Sequence, residues 1–477
     1  MSKGTLKEQT TTGVFWSSIE RFSVQGVQFI VMLVMARLLT PEDYGVVGML
    51  AVFIGLAQAF VDCGFSQALI RKKDRTEVDN STVFYFNIVV SVIIYIGLYI
   101  SAPLISRFYE MPSLTPYTRV ICLSIVINSF AIVQRALYSA KIDFKTQTKS
   151  SVIAVIISGI LGVYLAYMGF GAWALVCQQI LNLGINTSFL WIYSSWRPIK
   201  SFSWKSFKEL FGFGSKLLAT SILNSIYSNV YTIVIGKMFS ASSLGYYSRA
   251  EHFANLPSSN FTSVFQRVTF PILCKVQDDL ARLENIYRRL LRSSTFVIFP
   301  CMVGMAAVAD PMISILLGEK WGTSAYLLRI LCFGLMWYPM HAINLDILQV
   351  KGRTDLFLEL EIYKKIISFV ILFIAVPFGL EALCYSRIIS SLICLYINNI
   401  YTSKILGVTI WSQFKDIMPT LFLNLSMYIL IIFTISLIPN MYVQFGVGIL
   451  EGIVFYIGVA KLFRFSEFSE LKTIVAK

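Results

Sequence analysis

The stretch Gly245–Gln277, GYYSRAEHFANLPSSNFTSVFQRVTFPILCKVQ, decides the fold. As a helix it is long enough to cross a bilayer, which takes about 20 residues. Yet it carries Arg249, Glu251, His252, Asn255, Asn260 and Arg267. At about 100° and 1.5 Å per residue, Arg249 and Arg267 lie on one face, roughly 27 Å apart along the axis. Asn260 and Ser263 fall near the same line, and Phe253, Phe261, Phe265 and Phe270 occupy much of the remainder. A guanidinium at mid-membrane costs about 2.5–3.5 kcal/mol on insertion scales, so it faces a bundle interior or a watery cavity. The pattern predicts one wall of a basic, hydrated path through a membrane.

The rest of the chain agrees. Of 477 residues, 56% are hydrophobic and only 14% charged, and the mean hydropathy is +0.69. That balance excludes a soluble globular domain and predicts an all-α integral membrane protein, since the apolar runs are too long for barrel strands. About fourteen transmembrane helices are expected between residues 14 and 463. The net charge of +14 does not point to nucleic acid, because Lys and Arg gather in alternate short gaps. Arg71, Lys72, Lys73 and Arg75 fill one such gap, and Lys141, Lys145 and Lys149 another. By the positive-inside rule these gaps and both termini are cytoplasmic, in a multi-pass membrane protein. The polar start MSKGTLKEQTTTG, followed by Glu20 and Arg21, is unlike a removable signal peptide. Eight cysteines without a CxxC pair read as small buried hydrophobes.

An internal repeat organises the spans. Arg37-Leu38-Leu39-Thr40-Pro41-Glu42-Asp43-Tyr44-Gly45 reads as cation, two apolars, hydroxyl, three turn residues, apolar, glycine. Lys237-Met238-Phe239-Ser240-Ala241-Ser242-Ser243-Leu244-Gly245 reads the same way 200 residues later. The displacement amounts to six spans, an even number, so the halves are parallel repeats about an axis along the membrane normal. The expected divisions are 1–193, a cytoplasmic amphipathic linker at 194–212, 213–403, and two further helices with a tail at 404–477.

Polar residues on the first span form a stripe: Ser17, Arg21, Gln25 and Gln28. Displaced by 200, the last three become Ser221, Ser225 and Ser228, with Asn224 and Asn229 beside them. The polar face persists in the second half and its charge does not. Arg21, Arg249 and Arg267 are therefore the candidates for holding an anion, because guanidinium stays protonated and its planar fork matches phosphate oxygens. Gln25, Gln28, Asn224 and Asn260 are candidate cavity residues. Internal pairing, Arg21 with Glu20 or Asp62 and Arg249 with Glu251, is the competing reading. Glu20, Asp62 and Glu251 are candidates for coupling transport to H⁺ or Na⁺, as are Asp346 and Glu381, since a carboxylate in a low-dielectric cavity titrates near neutrality. Arg135 sits at the end of a span, where a surface role is expected.

No catalytic residues, cofactor or metal site are read. The chain lacks G-x-x-x-x-G-K-[ST], HExxH and G-x-S-x-G, and has only two histidines, His252 and His341. Nor is there an outer loop large enough for a glycan polymerase. Transport fits better than catalysis.

The segments MARLLTPEDYGVVGMLAVFIGLAQAFVDCGFSQALIRKKD (35–74), STVFYFNI (81–88), LGYYSRAEHFANLP (244–257) and FPIL (270–273) resemble the polysaccharide transporter family. These are the Wzx-type and teichuronic-acid-type flippases of lipid-linked oligosaccharides, in the superfamily that includes the MATE exporters. The resemblance implies two six-helix lobes in a V-shape with two C-terminal helices. It also implies a central cationic cavity for the sugar-diphosphate head of an undecaprenyl-diphosphate-linked oligosaccharide whose tail stays in membrane lipid. Basic residues on the first and eighth helices serve that cavity in related flippases, where Arg21, Arg249 and Arg267 lie here. Polysaccharide polymerase and chain-length machinery are the implied protein partners. Two alternatives remain open: a MATE-like cation-coupled multidrug antiporter, whose cavity should be acidic, and a non-transporting scaffold, which has no need of buried Arg.

Overall fold

The computed structural model describes residues 23–469, and every regular element among them is a helix. The chain divides after Gly245 into two compact units. The first contains Ser23–Leu38 (α1), Pro41–Asp62 (α2), Phe65–Arg71 (α3), Glu77–Phe108 (α4) and Leu114–Ile121 (α5). Leu123–Ala140 (α6), Phe144–Tyr167 (α7), Ala172–Tyr193 (α8), Trp204–Met238 (α9) and the first turn of Ala241–Lys275 (α10) complete it. The second unit holds the rest of α10, Leu280–Ala307 (α11), Ala309–Leu316 (α12), Gly322–Leu335 (α13) and Tyr338–Val350 (α14). Thr354–Ala375 (α15), Leu380–Leu406 (α16), Ile410–Ser436 (α17) and Met441–Leu462 (α18) follow.

Ten helical segments are long and apolar enough to cross a membrane, counting α2–α3, α5–α6 and α13–α14 as single spans. The other four expected spans fall on α1, α8, α10 and α15. Each is helical, but α1 is short within the described residues, and the others carry polar side chains that lower their hydropathy. Gln178, Gln179, Asn182 and Asn186 do so on α8, and Glu359, Glu361, Lys364 and Lys365 on α15. Polar side chains within an apolar run are what make such helices hard to read from hydropathy alone.

Local sequence explains the helix starts. Thr40 accepts a hydrogen bond from the Asp43 N–H, and the Asp43 carboxylate accepts one from the Thr40 N–H at 2.8 Å, with Pro41 at the first helical position. This reciprocal cap satisfies two orphan donors and contributes about 1 kcal/mol. Thr76 and Asp79 repeat it at α4. At the 200-residue repeat, Ser240 accepts from the Ser243 N–H at 3.0 Å, a simpler cap that starts α10.

The two repeat turns also meet in space, within the first unit. A methyl group on Gly45 would lie 1.7 Å from the Ala241 carbonyl oxygen, and one on Gly245 would lie 1.8 Å from that of Pro41. The contact is reciprocal, glycine against the backbone one turn before the other glycine. Only the missing Cβ permits this approach.

Packing elsewhere follows membrane rules, with small residues and polar side chains at helix contacts. On α7, Ser158 receives a hydrogen bond from Asn182 at 3.1 Å and Ser151 one from Asn186 at 3.3 Å, so the polar face of α8 is spent on its neighbour. The segment 194–203 is not helical. It is fixed to the start of α4, where the Ile199 and Ser203 N–H groups donate to Ser81 and Thr82 at 3.0 Å each. The Trp196 indole donates to Glu77. Beyond it α9 runs unbroken from Trp204 into the next span, with Phe207 and Phe211 packed on the buried Phe65. In the second unit, Arg288 grips Asp416 with two bonds of 2.7 Å and ties α17 to α11.

Candidate functional site

A cavity of about 620 Å³ opens in the first unit, walled by α2, α3, α6 and α9. Helical periodicity explains which side chains reach it. Gly55, Gln58, Ala59 and Asp62 recur at i, i+3, i+4 and i+7 on α2, and Ser221, Asn224, Ser225 and Ser228 do the same on α9. Asn128, Ile132 and Arg135 fall at i, i+4 and i+7 on α6, and Ser66 comes from α3. Of these, Gly55, Ala59 and Ile132 alone lack a polar side chain.

Two charges stand among amides and hydroxyls. The Arg135 guanidinium donates through Nη1 to Asn128 Oδ1 at 3.0 Å, which steadies it two turns away on the same helix face. Asp62 Oδ1 accepts from the Ser66 N–H at 3.2 Å and from its hydroxyl. That bond is possible because the chain turns sharply between α2 and α3, through Cys63 and Gly64 at φ of 45° and 70°. The break brings the start of α3 back over the Asp62 carboxylate. Amides and hydroxyls suit exchange of hydrogen bonds with a hydroxyl-rich ligand, and Arg135 supplies a fork for an oxyanion.

The sequence-derived candidates are distributed as follows. Asn224 and Asp62 line the cavity. On α1, Gln25 is half-buried and Gln28 exposed, and neither lines it. Arg21 and Glu20 lie outside the described residues. In the second unit, Arg249 and Asn260 are half-buried on α10 and Arg267 is exposed. At roughly 27 Å separation along one helix, Arg249 and Arg267 are too far apart to grip one diphosphate together. Glu251 is engaged: Arg387 pairs with it, and the Tyr247 hydroxyl donates to it at 3.1 Å. Arg135 departs from expectation. Its place near the end of an apolar run suggested a surface role, whereas its partner Asn128, seven residues earlier on the same face, was the signal that it points inward. Among the described residues no group of three or more His, Cys, Asp or Glu side chains is placed to hold a metal ion, and all eight cysteines are free thiols.

A family model described as "Polysaccharide biosynthesis protein" matches residues 34–326, more than half of the chain. The chain belongs to this polysaccharide biosynthesis family. Lipopolysaccharide biosynthesis protein WzxC of Escherichia coli K12 is 26% identical over 450 residues, 93% of this chain and 88% of that protein. Teichuronic acid biosynthesis protein TuaB of Bacillus subtilis 168 is 26% identical over 355 residues, 74% of this chain and 73% of its own. Among solved structures, lipid II flippase MurJ in an inward closed conformation matches with a TM-score of 0.74 at 17% identity, over 94% of this chain and 98% of MurJ. An inward-facing MATE multidrug transporter matches with a TM-score of 0.64 at 16% identity, over 83% and 98%. At such identities the structural likeness establishes the fold alone. This member of the polysaccharide biosynthesis family is a multi-pass membrane protein with the all-helical fold shared by those transporters.

Proposed function

We propose that the protein is a flippase that carries an undecaprenyl-diphosphate-linked oligosaccharide across the bacterial cytoplasmic membrane for surface polysaccharide, by alternating access. The observation that carries this reading is the polar cavity containing Arg135. A membrane helix bundle has no structural need for so many amide and hydroxyl groups around open space, because each loses hydrogen bonds to water unless a polar ligand replaces them. A glycan head does replace them, hydroxyl for water. Its diphosphate needs a cation, and Arg135 supplies one on the cavity wall. The polyprenyl tail remains in lipid. The family assignment, and the biosynthetic roles in the names of WzxC and TuaB, support the same substrate class.

In this reading both termini are cytoplasmic, following the basic gaps. The chain performs no covalent chemistry, and polymerisation of the glycan belongs to partner proteins on the far side. A multidrug exporter of cations is less well supported, because Arg135 would repel its substrate from the cavity. A non-transporting scaffold leaves the cavity without a purpose.

The test is restoration of surface glycan in a bacterium deleted for its own flippase of matching glycan repeat. Wild-type protein should restore it. Resistance to cationic drugs without restored glycan would favour the exporter.

A further inference from the structure

Two carboxyl groups of the second unit, Glu451 and Asp346, each keep one buried oxygen without a partner among the described residues, and of the two residues Asp346 is the more deeply buried. Asp346 on α14 is only 4% exposed. Its Oδ1 accepts from Gln266 Nε2 on α10 at 3.0 Å, and its Oδ2 is buried without a hydrogen-bond partner among the described residues. One turn beyond Gln266, on the same side of α10, Thr269 is 2% exposed, and its hydroxyl oxygen is also buried without a partner. Two unmet oxygens thus lie on neighbouring turns of a helix contact.

Among the described residues no cation is paired with the carboxylate. The helices packed against α14 include α11, α15 and α16, with α10 reached through Gln266 and α17 through Gln413. On α11, the Tyr287 hydroxyl donates to Asn344 at 2.9 Å, Arg288 pairs with Asp416, and Arg292 with Glu467. On α15, Lys364 pairs with Glu361, and on α16, Arg387 pairs with Glu251. On α14 itself, His341 sits between Ser391 and Asn398, at 3.1 Å from each. Arg267, next to Gln266 on α10, is exposed. None of these contacts reaches Asp346.

A buried carboxylate with one hydrogen bond and no cation is a costly state, and a proton removes the cost by removing the charge. We propose that Asp346 is a proton-binding site of the second unit, carrying a proton on Oδ2 while α10 and α14 are packed through Gln266. When the contact opens and water reaches the carboxyl group, the proton leaves to water and the carboxylate stays ionised. Protons are then the cations coupled to movement. The coupling rests on the flippase reading, whereas the protonation does not.

The experiment uses full-length protein in lipid nanodiscs and infrared difference spectra across a pH series. The protonated-carboxyl C=O stretch should be present in wild type at neutral pH, disappear as pH rises, and be absent from Asp346→Asn. Gln266→Leu removes the donor that favours the carboxylate, so its band should survive to higher pH. An unchanged band in Asp346→Asn, or no titrating band in wild type, would overturn the proposal. Loss of the wild-type band on adding sodium at constant pH would also overturn it, in favour of a sodium site. A transport arm separates the two readings: Asp346→Asn should lose the dependence of glycan export on an imposed pH gradient. If the band behaves as expected while neither wild type nor any variant exports glycan, protonation stands and the flippase reading falls.

Discussion

The two halves share a repeat and differ in what they do with polar side chains. In the first unit, the faces of α2, α6 and α9 open onto a cavity of about 620 Å³. In the second, comparable groups are closed on one another. Tyr287 and Gln413 both donate to Asn344, at 2.9 and 3.2 Å, and Glu251 is held by Arg387 and Tyr247. Repetition has kept the backbone geometry of the turns at Gly45 and Gly245 and has not kept the chemistry behind them. On the proposals made above, the difference is a division of labour, with ligand contact in the first unit and a buried titrating carboxyl group in the second.

The strongest way to break the comparison is at the shared geometry. Gly45→Leu or Gly245→Leu forces side-chain atoms into a backbone carbonyl that cannot rotate away. Overpacking of this kind costs about 1–3 kcal/mol or more, so we expect the largest loss of folded protein in the membrane, read by quantitative immunoblot and size-exclusion profile. The two substitutions should be similarly severe, since the contact is reciprocal.

Next comes the cavity. Arg135→Ala should leave protein levels near wild type and reduce glycan export at least about tenfold, the scale of losing a charge-assisted contact to substrate. Arg135→Lys should recover part of it, because the charge returns without the planar fork. Equivalent truncations in the closed network of the second unit should instead act on stability. Asp416→Ala removes a partner that Arg288 holds with two bonds, and a shift of about 1 kcal/mol is expected for such a partly exposed pair, measured by thermal unfolding in detergent.

The smallest effect belongs to Glu110. The hydrogen bond from Lys237, at 2.6 Å, holds its carboxyl below the usual carboxylate range. A group with a lowered value contributes stability above its unfolded titration range and loses it as pH falls. Glu110→Gln should therefore lower the melting temperature slightly at neutral pH, with the gap closing in acid. A gap that widens in acid would reverse the assignment.

Much of this was legible in the sequence. The hydropathy and charge pattern predicts an all-helical multi-pass protein, whereas Thr40-Pro41-Glu42-Asp43, read as a hydroxyl and turn residues, proves to be the reciprocal cap that starts α2. The repeat at Gly45 and Gly245 is visible as nine residues, although nothing in a string shows that the two turns touch. Arg135 was misread because distance from the end of an apolar run says how deep a side chain starts, not which face it shares. Its spacing from Asn128 held that information. Asp62 was a candidate, but its engagement with Ser66 depends on the left-handed turn at Cys63, a residue type that rarely adopts one. Asp346 could not be separated from four other carboxylates, because helical spacing does not reveal which neighbour supplies a partner and which leaves an oxygen unmet.

The most direct measurement is translocation of undecaprenyl-diphosphate-linked oligosaccharide in vesicles containing purified protein, read by accessibility of the glycan to an external glycosidase. Wild type should move the glycan across the bilayer, and Arg135→Ala, reconstituted at equal density, should not. Equal translocation by the two proteins would contradict the claim that this cavity carries the head group.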